Sequence, residues 1–396
     1  MRAEGGSIGV GIVGAGFAAS SHVDALRRLP RVRLAGIVGS SPERVRPAAD
    51  RLGIERVYPD LDALLADDGV AAVHNCTPNA AHADVTSRAL SAGKHVLSEK
   101  PLGLDATETA QLVDAAARSD VVTGVCFNYR HFPLVQQVRA MLGTGDDGSV
   151  HLVHGSYLQD WLLFEDDWNW RLSSHRAGST RAVGDIGSHW VDTVEHVTGD
   201  AIVEVAADLG RLHDERVRPE GEVETFARAG GGATRYRVDT EDFASTLFRL
   251  RSGARGSFLV SQVSPGRKNR LWFEVDAGRA SFAWDQEDPN HLWIGRRDRP
   301  SEDLVRDPSL LSPEVAPLAR FPGGHQEGWP DALRNLLADF YAAVDARRRG
   351  EPHAATFASF EDAHHVVQVV DAIAASASTG AWVSVGSRRD DGAAAS

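Results

Sequence analysis

The sequence predicts an α/β fold, in which an N-terminal doubly wound parallel sheet is followed by an α+β domain built on a large, mostly antiparallel open sheet. Three observations predict it. A short β-branched run, Ile8 to Val13, stops at Gly14-Ala15-Gly16 and gives way to an Ala-rich stretch. Apolar runs and helix-period segments then alternate as far as residue 127, the pattern of a parallel sheet with helical crossovers. Beyond it, successive runs alternate apolar and polar residues with period two, as antiparallel strands with one exposed face do.

In order, Ile8 to about Leu29 reads as strand, tight turn and helix, and Val32 to Val38 as the second strand. A helix around Pro42 to Leu52, a short strand near Val57 and a helix from Leu61 to Ala66 lead into the strand Val70 to Asn75. Helix Ala81 to Ala92, strand His95 to Ser98, helix Ala106 to Ser119 and strand Val121 to Phe127 complete a domain spanning 1–127. The second domain, 128–387, takes strands at Leu152 to Leu158, Val203 to Leu209, Ala244 to Leu250, Gly256 to Val263 and Leu271 to Ala277. Helices at Gly184 to Thr198 and Pro330 to Arg349 are expected to cover one face of that sheet. Asp214 to Thr234, rich in Gly, Glu and Arg, reads as a mobile insertion, and 388–396 as a disordered tail.

A chain of 396 residues suits two domains with a cleft between them. The formal net charge of -13 and the lack of a long basic run argue against a nucleic-acid or anionic-membrane partner and leave a small molecule. Only Cys76 and Cys126 are present, so neither a disulfide framework nor a thiolate zinc site can be built, and a reducing cytoplasm is expected. The opening MRAEGGS lacks the apolar stretch of a leader, and no window approaches the roughly 18 apolar residues of a membrane span.

Gly14-Ala15-Gly16-Phe17-Ala18-Ala19 sits where a dinucleotide fingerprint belongs. Gly14 permits the turn, Gly16 admits a pyrophosphate, and the helix start at Phe17 and Ala18 offers N–H donors and a positive dipole end. An NAD site usually carries Asp or Glu after the second strand, but here the chain runs Gly39-Ser40-Ser41-Pro42-Glu43-Arg44. Ser40, Ser41 and Arg44 suit a 2'-phosphate, so NADP is expected over NAD; a solvated turn with Arg44 exposed is the plainer reading. Thr77, Pro78 and Asn79 follow one strand and Glu99, Lys100 and Pro101 the next, at the carboxyl ends where such sheets bind ligands. Lys100 is aimed at the nicotinamide, and His82, Asn128 and Arg130 are counted with the cofactor set.

Asp185 and His189 stand four apart, on one helical face. Oxidation of an alcohol needs a base for the hydroxyl proton, and His titrates in the right range. A capping Asp and a buried His are the structural alternative. The stripe Asp185, His189, Asp192, His196 has metal-like spacing, but hydride chemistry needs no metal and none is expected. Tyr157, Gln159, Trp161, Trp168 and Arg171 combine aromatic faces with polar groups that suit a sugar, as does the Gly-flanked His325, unless the Trp side chains simply fill core.

Together GAGFAA, EKP at Glu99 to Pro101, FNYR at Phe127 to Arg130, GDIGSH at Gly184 to His189 and the segment Thr240 to Phe243 resemble the Gfo/Idh/MocA family over nearly the whole chain. The resemblance implies a Rossmann domain, an α/β domain with an open sheet, and a homodimer or homotetramer formed through that sheet. It implies a catalytic trio of Lys100, Asp185 and His189, with His189 as acid/base, Lys100 polarising the reacting oxygen and Asp185 assisting. The segments QDWL, WNWR and HQEGW look like a sugar- or glycoside-oxidising branch. The expected activity is hydride transfer between a nicotinamide and a secondary hydroxyl or keto carbon of a sugar, glycoside or cyclitol. Two alternatives are transient oxidation by a retained cofactor, for epimerisation or glycosidic cleavage, and a non-catalytic nucleotide sensor.

Overall fold

The computed structural model describes residues 7–219 and 233–386. In chain order the elements begin β1 (Ile8–Val13), α1 (Phe17–Arg27), β2 (Val32–Val38), α2 (Pro42–Arg51), α3 (Leu61–Leu65), β3 (Ala72–Asn75), α4 (His82–Ser91), β4 (His95–Ser98), α5 (Ala106–Ala117) and β5 (Thr123–Val125). They continue α6 (Pro133–Gly143), β6 (Val150–Leu158), α7 (Ser174–Ala177), α8 (Ser188–Thr198), β7 (Ile202–Gly210), β8 (Glu215–Pro219), β9 (Ala233–Arg237), β10 (Phe243–Leu250), β11 (Arg255–Ser261) and β12 (Arg270–Ala277). The last are β13 (Ser281–Asp285), β14 (His291–Gly295), β15 (Glu302–Val305), α9 (Trp329–Arg349), α10 (Phe360–Thr379) and β16 (Val383–Ser384). None of the described helices is long and apolar enough to cross a membrane.

The chain divides into two compact units, residues up to Asn128 with Trp329–His364, and Tyr129–Gly328 with His365 onward. The first holds a five-stranded sheet in the order β2-β1-β3-β4-β5, parallel throughout. Its helices start at side-chain caps where the sequence offers them: Asp60 accepts from Ala63 N at 2.8 Å and Asp105 from Thr107 N at 2.8 Å. Val57 makes a single bridge to Ile37 rather than the expected strand.

The expected division at 127/128 differs from these units, because α9 belongs to the first of them. Leu333, Leu336, Leu337, Phe340, Tyr341 and Val344 recur at helical spacing and join the core formed by Val10, Ile12, Val23 and Leu26. The periodicity shows that α9 has an apolar face; it does not show which sheet covers it.

The second unit carries a nine-stranded sheet, β15-β14-β13-β12-β6-β11-β10-β7-β16. Its neighbours pair antiparallel except β6 and β11, which run parallel. The buried helix α8 lays Trp190 on Phe258, with ring centroids 4.4 Å apart. Within the expected insertion, β8 and β9 pair antiparallel. Arg216, fully buried, fastens them through Leu162 O, Phe164 O and Asp242 Oδ1. The rest of that insertion, 220–232, and the expected tail lie outside the described residues.

Candidate functional site

In the first unit, the end of β1 forms a cradle. Gly14 takes φ 109°, and a Cβ there would stand 2.4 Å from Cys76 O, so only glycine makes this turn. Gly16, at the start of α1, has no side-chain cap, and a Cβ on it would meet nothing within 4 Å. An uncapped helix start with no acid in its first turn, beside open room, fits the pyrophosphate of a dinucleotide. Phe17 is exposed and lies 6.0 Å from the Trp329 ring, with Ala18 behind it in the same turn.

A Cβ on Gly39 would come within 2.4 Å of Val45 Cγ2. That close approach of α2 excludes an acidic side chain at this point. Ser41 is spent on capping, accepting from Arg44 N at 3.4 Å, while the side chains of Ser40 and Arg44 are exposed.

The loops after β3 and β4 are tied from beneath. Asn75 donates to His82 O and Thr86 Oγ1 and accepts from Thr77 Oγ1 at 2.7 Å, which fixes the turn carrying Pro78 and the buried Asn79. His82, expected at the cofactor, is instead buried, with Nδ1 2.6 Å from Pro101 O and Nε2 2.8 Å from Thr77 O. Burial pulls its pKa below the usual value, against the two carbonyls. Its place is to staple the two loops. Glu99 accepts from His22 Nε2 at 3.0 Å and from Lys100 N at 3.2 Å, and Lys100 itself is half-buried. Asn128 is buried, and its Nδ2 has no hydrogen-bond partner among the described residues.

In the second unit, Asp185 lies in a π-turn, Val183–Gly187, that runs into α8, rather than in the α-helix expected from residue 184. Glu241 nails down this turn by accepting from Arg181 N and Val183 N, both at 2.9 Å. Asp185 is then held on both oxygens: Arg171 Nε stands 3.2 Å from Oδ1, and Gln262 Nε2 donates to Oδ2 at 2.9 Å. His189 is buried, its ring edge-on to Tyr129 at 4.9 Å and tilted to Tyr157 at 6.4 Å.

Those tyrosines close a ring of hydrogen bonds. Tyr157 OH donates to Asn269 Oδ1 at 2.6 Å, Asn269 Nδ2 donates to Tyr129 OH at 2.9 Å, and Tyr129 OH is left to donate to Tyr157 at 2.6 Å. Burial pushes the Tyr129 phenol up to about 12 and the Tyr157 phenol well above its ordinary value, so both remain protonated. Gln159 Nε2 joins at Asn269 Oδ1, 2.8 Å away, and Trp161 Nε1 donates to Gln159 Oε1 at 2.7 Å.

The expected residues Tyr157, Gln159 and Trp161 are thus brought together beside His189, and Arg171 is brought to Asp185. Three others are placed elsewhere. Arg130, expected at the cofactor, forks onto the fully buried Asp192, with Nε 2.8 Å from Oδ2 and Nη2 2.6 Å from Oδ1. Trp168 is half-buried, packed like Trp161 against Leu162, Leu172 and Val238, with Arg218 over its ring. The His325 side chain is exposed on a loop whose buried anchor is Glu327, paired with Arg306 at 3.2 Å. Asp192 and His196 of the metal-like stripe are taken up by Arg130 and Gln136. Tyr129, Gln262, Asn269 and Glu241 belong to the site and were not foreseen as members; only Glu241 and Tyr129 fall inside motifs, Thr240 to Phe243 and FNYR.

Residues 8–127 match the family model for the Gfo/Idh/MocA oxidoreductases with an NAD-binding Rossmann fold, and 135–283 match the model for the family's C-terminal domain. The chain is 28% identical to levoglucosan dehydrogenase of Pseudarthrobacter phenanthrenivorans, over 96% of this chain and 98% of that one. Among solved structures, an oxidoreductase domain protein from Kribbella flavida is 30% identical with a TM-score of 0.86, covering 97% of this chain and 100% of its own. A levoglucosan dehydrogenase in complex with NADH and levoglucosan is 28% identical with a TM-score of 0.83, over 96% and 100%. With a glycine cradle before α1, a Lys100 loop after β4 and an Asp185–His189 turn beside a nine-stranded sheet, the chain belongs to the Gfo/Idh/MocA family of NAD-binding oxidoreductases.

Proposed function

We propose that the chain moves a hydride between a nicotinamide dinucleotide and a secondary hydroxyl or keto carbon of a sugar, glycoside or cyclitol. The carrying observation is the setting of Asp185 and His189: a carboxylate held on both oxygens, a buried imidazole one turn on, and a hydrogen-bonded aromatic wall beside it. The dinucleotide, when bound, accepts or donates the hydride. The chain orients the substrate and moves the proton. His189, one turn on from Asp185, takes the hydroxyl proton. Asp185, beside the Arg171 guanidinium, accepts from a neighbouring hydroxyl, and the Lys100 ammonium polarises the reacting oxygen. Gln159, Trp161 and the two tyrosines offer the mixture of flat faces and directed donors that a pyranose or cyclitol needs. The levoglucosan-bound relative supports a sugar substrate.

For the cofactor, Gly14, Gly16 and the start of α1 take the pyrophosphate, with Thr77, Pro78, Asn79, Glu99 and Asn128 around the remainder. Ser40 and Arg44 favour NADP, since no acid ends β2. The NADH-bound relative favours NAD as the second reading. Calorimetry decides between them: tight NADP binding that Arg44→Ala abolishes supports the first, and an NAD preference indifferent to Arg44→Ala overturns it.

We infer a homodimer or homotetramer formed through the open face of the nine-stranded sheet, where Leu152, Leu247, Leu259 and Trp293 stand exposed. Two buried free cysteines suit the reducing cytoplasm. The function is tested by initial rates of nucleotide reduction with a panel of pyranosides, anhydrosugars and cyclitols. Turnover by the wild type that falls by about 10²- to 10⁴-fold in His189→Ala is expected; absence of turnover with every member sinks the reading.

A further inference from the structure

We infer that His22 is a positioning residue for Lys100, acting through Glu99 at the end of a buried hydrogen-bonded chain that runs Tyr341, His74, His22, Glu99. The inference rests on the role proposed above for Lys100. All four residues lie in the first unit and come from separate elements: α9, β3, α1 and the loop after β4. Tyr341 OH is 2.7 Å from His74 Nε2, His74 Nδ1 is 2.7 Å from His22 Nδ1, and His22 Nε2 is 3.0 Å from Glu99 Oε1. Both histidines are fully buried and Tyr341 nearly so.

The contacts restrict where protons sit. A carboxylate only accepts, so His22 Nε2 carries hydrogen. The nitrogen pair at 2.7 Å holds a single proton, since two N–H groups would collide and two lone pairs would repel. Burial, followed by the His22 charge, holds His74 well below the usual imidazole value. His74 is therefore neutral with one hydrogen, given either at Nδ1 to His22, with Nε2 accepting from Tyr341 OH, or at Nε2 to Tyr341. Cys126 Sγ lies 3.4 Å from the same His22 nitrogen, but burial pushes its thiol up to about 12, so it does not compete as a base.

The consequence falls on Lys100. Glu99 Oε1 is fixed by His22 and Oε2 receives Lys100 N at 3.2 Å, so the plane of the carboxylate, and with it the Lys100 main chain, is set from inside the sheet. Such hydrogen bonds contribute only modestly to stability, and well-packed hydrophobic residues would serve the core as well. Positioning accounts for it: the first unit aims Lys100 through groups buried beneath its loop.

The test compares His22→Leu, His22→Gln and Tyr341→Phe with wild type, by amide hydrogen exchange at Lys100, by kcat, and by calorimetric affinity for the dinucleotide. In His22→Leu, Lys100 exchange is expected to speed up roughly tenfold or more and kcat to fall by a similar factor, with nucleotide affinity held within about threefold. His22→Gln, which can still donate to Glu99, restores most of both, and Tyr341→Phe lies between. Unchanged exchange and kcat in a folded His22→Leu overturns the inference. So does equal damage in the Leu and Gln variants with loss of nucleotide affinity, the mark of a purely structural residue. If His22→Leu does not fold, Tyr341→Phe, which removes one hydroxyl, decides: wild-type exchange there overturns it. A wild type that turns over no sugar fails the dehydrogenase reading, while the exchange arm still judges the chain.

Discussion

Asp185 and Asp192 stand seven residues apart, yet their partners give them opposite duties. Asp192 is fully buried and saturated by the Arg130 fork; Asp185 keeps some exposure and is steadied by Arg171 and Gln262. The Arg130 pair is therefore structural. Arg130→Ala strands a buried carboxylate and should cost about 3–5 kcal/mol in denaturant unfolding, with dinucleotide affinity unchanged; a loss of affinity without a loss of stability would return Arg130 to the cofactor. Much of the candidate site is legible in the sequence where its proposed members stand close along the chain, as in Glu99-Lys100 or Asp185 with His189. Gln262 and Asn269 are not legible. They reach Asp185 and Tyr157 from 77 and 112 residues away, through strand ends that carry no motif.

At the scale of elements, α9 shows what periodicity conveys and what it omits. Its apolar stripe is plain, but its partner is chosen by the fold. Phe340 is fully buried against His74 and Phe357, so Phe340→Ala should cost about 3–5 kcal/mol, read as a lowered unfolding midpoint of the first unit. The helix α10 escapes a periodicity reading because its Val-Val-Gln-Val-Val run looks strand-like. The usable signal is its start, where Ser359 and Asp362 exchange side-chain to backbone hydrogen bonds at 3.0 Å. The basic end of α9 also acts on β4. Burial, then Arg348 and Arg347, holds His95 at about 4, and its Nδ1 accepts from Val122 N. Between about 6.5 and that value the unfolded chain binds the proton more readily, so stability falls as pH drops through this window. Acid titration of unfolding should show that loss, and His95→Gln should remove it.

At the scale of the whole molecule, the first unit presents a nucleotide cradle and the second a polar aromatic wall beside an acid and an imidazole. The exposed leucines and Trp293 on the nine-stranded sheet carry the proposed association of chains through that face. Leu259→Arg should lower the mass seen by light scattering to that of a single chain; an unchanged assembly would move the interface elsewhere. In the proposed reaction a hydrogen passes from a carbinol carbon to the nicotinamide. The most direct test takes the sugar that reacts best, deuterated at the oxidised carbon, and follows the label by mass spectrometry. Deuterium is expected in the reduced nucleotide, one per molecule of keto product. Deuterium retained in an epimer or lost to solvent, with no reduced nucleotide released, would contradict this reaction.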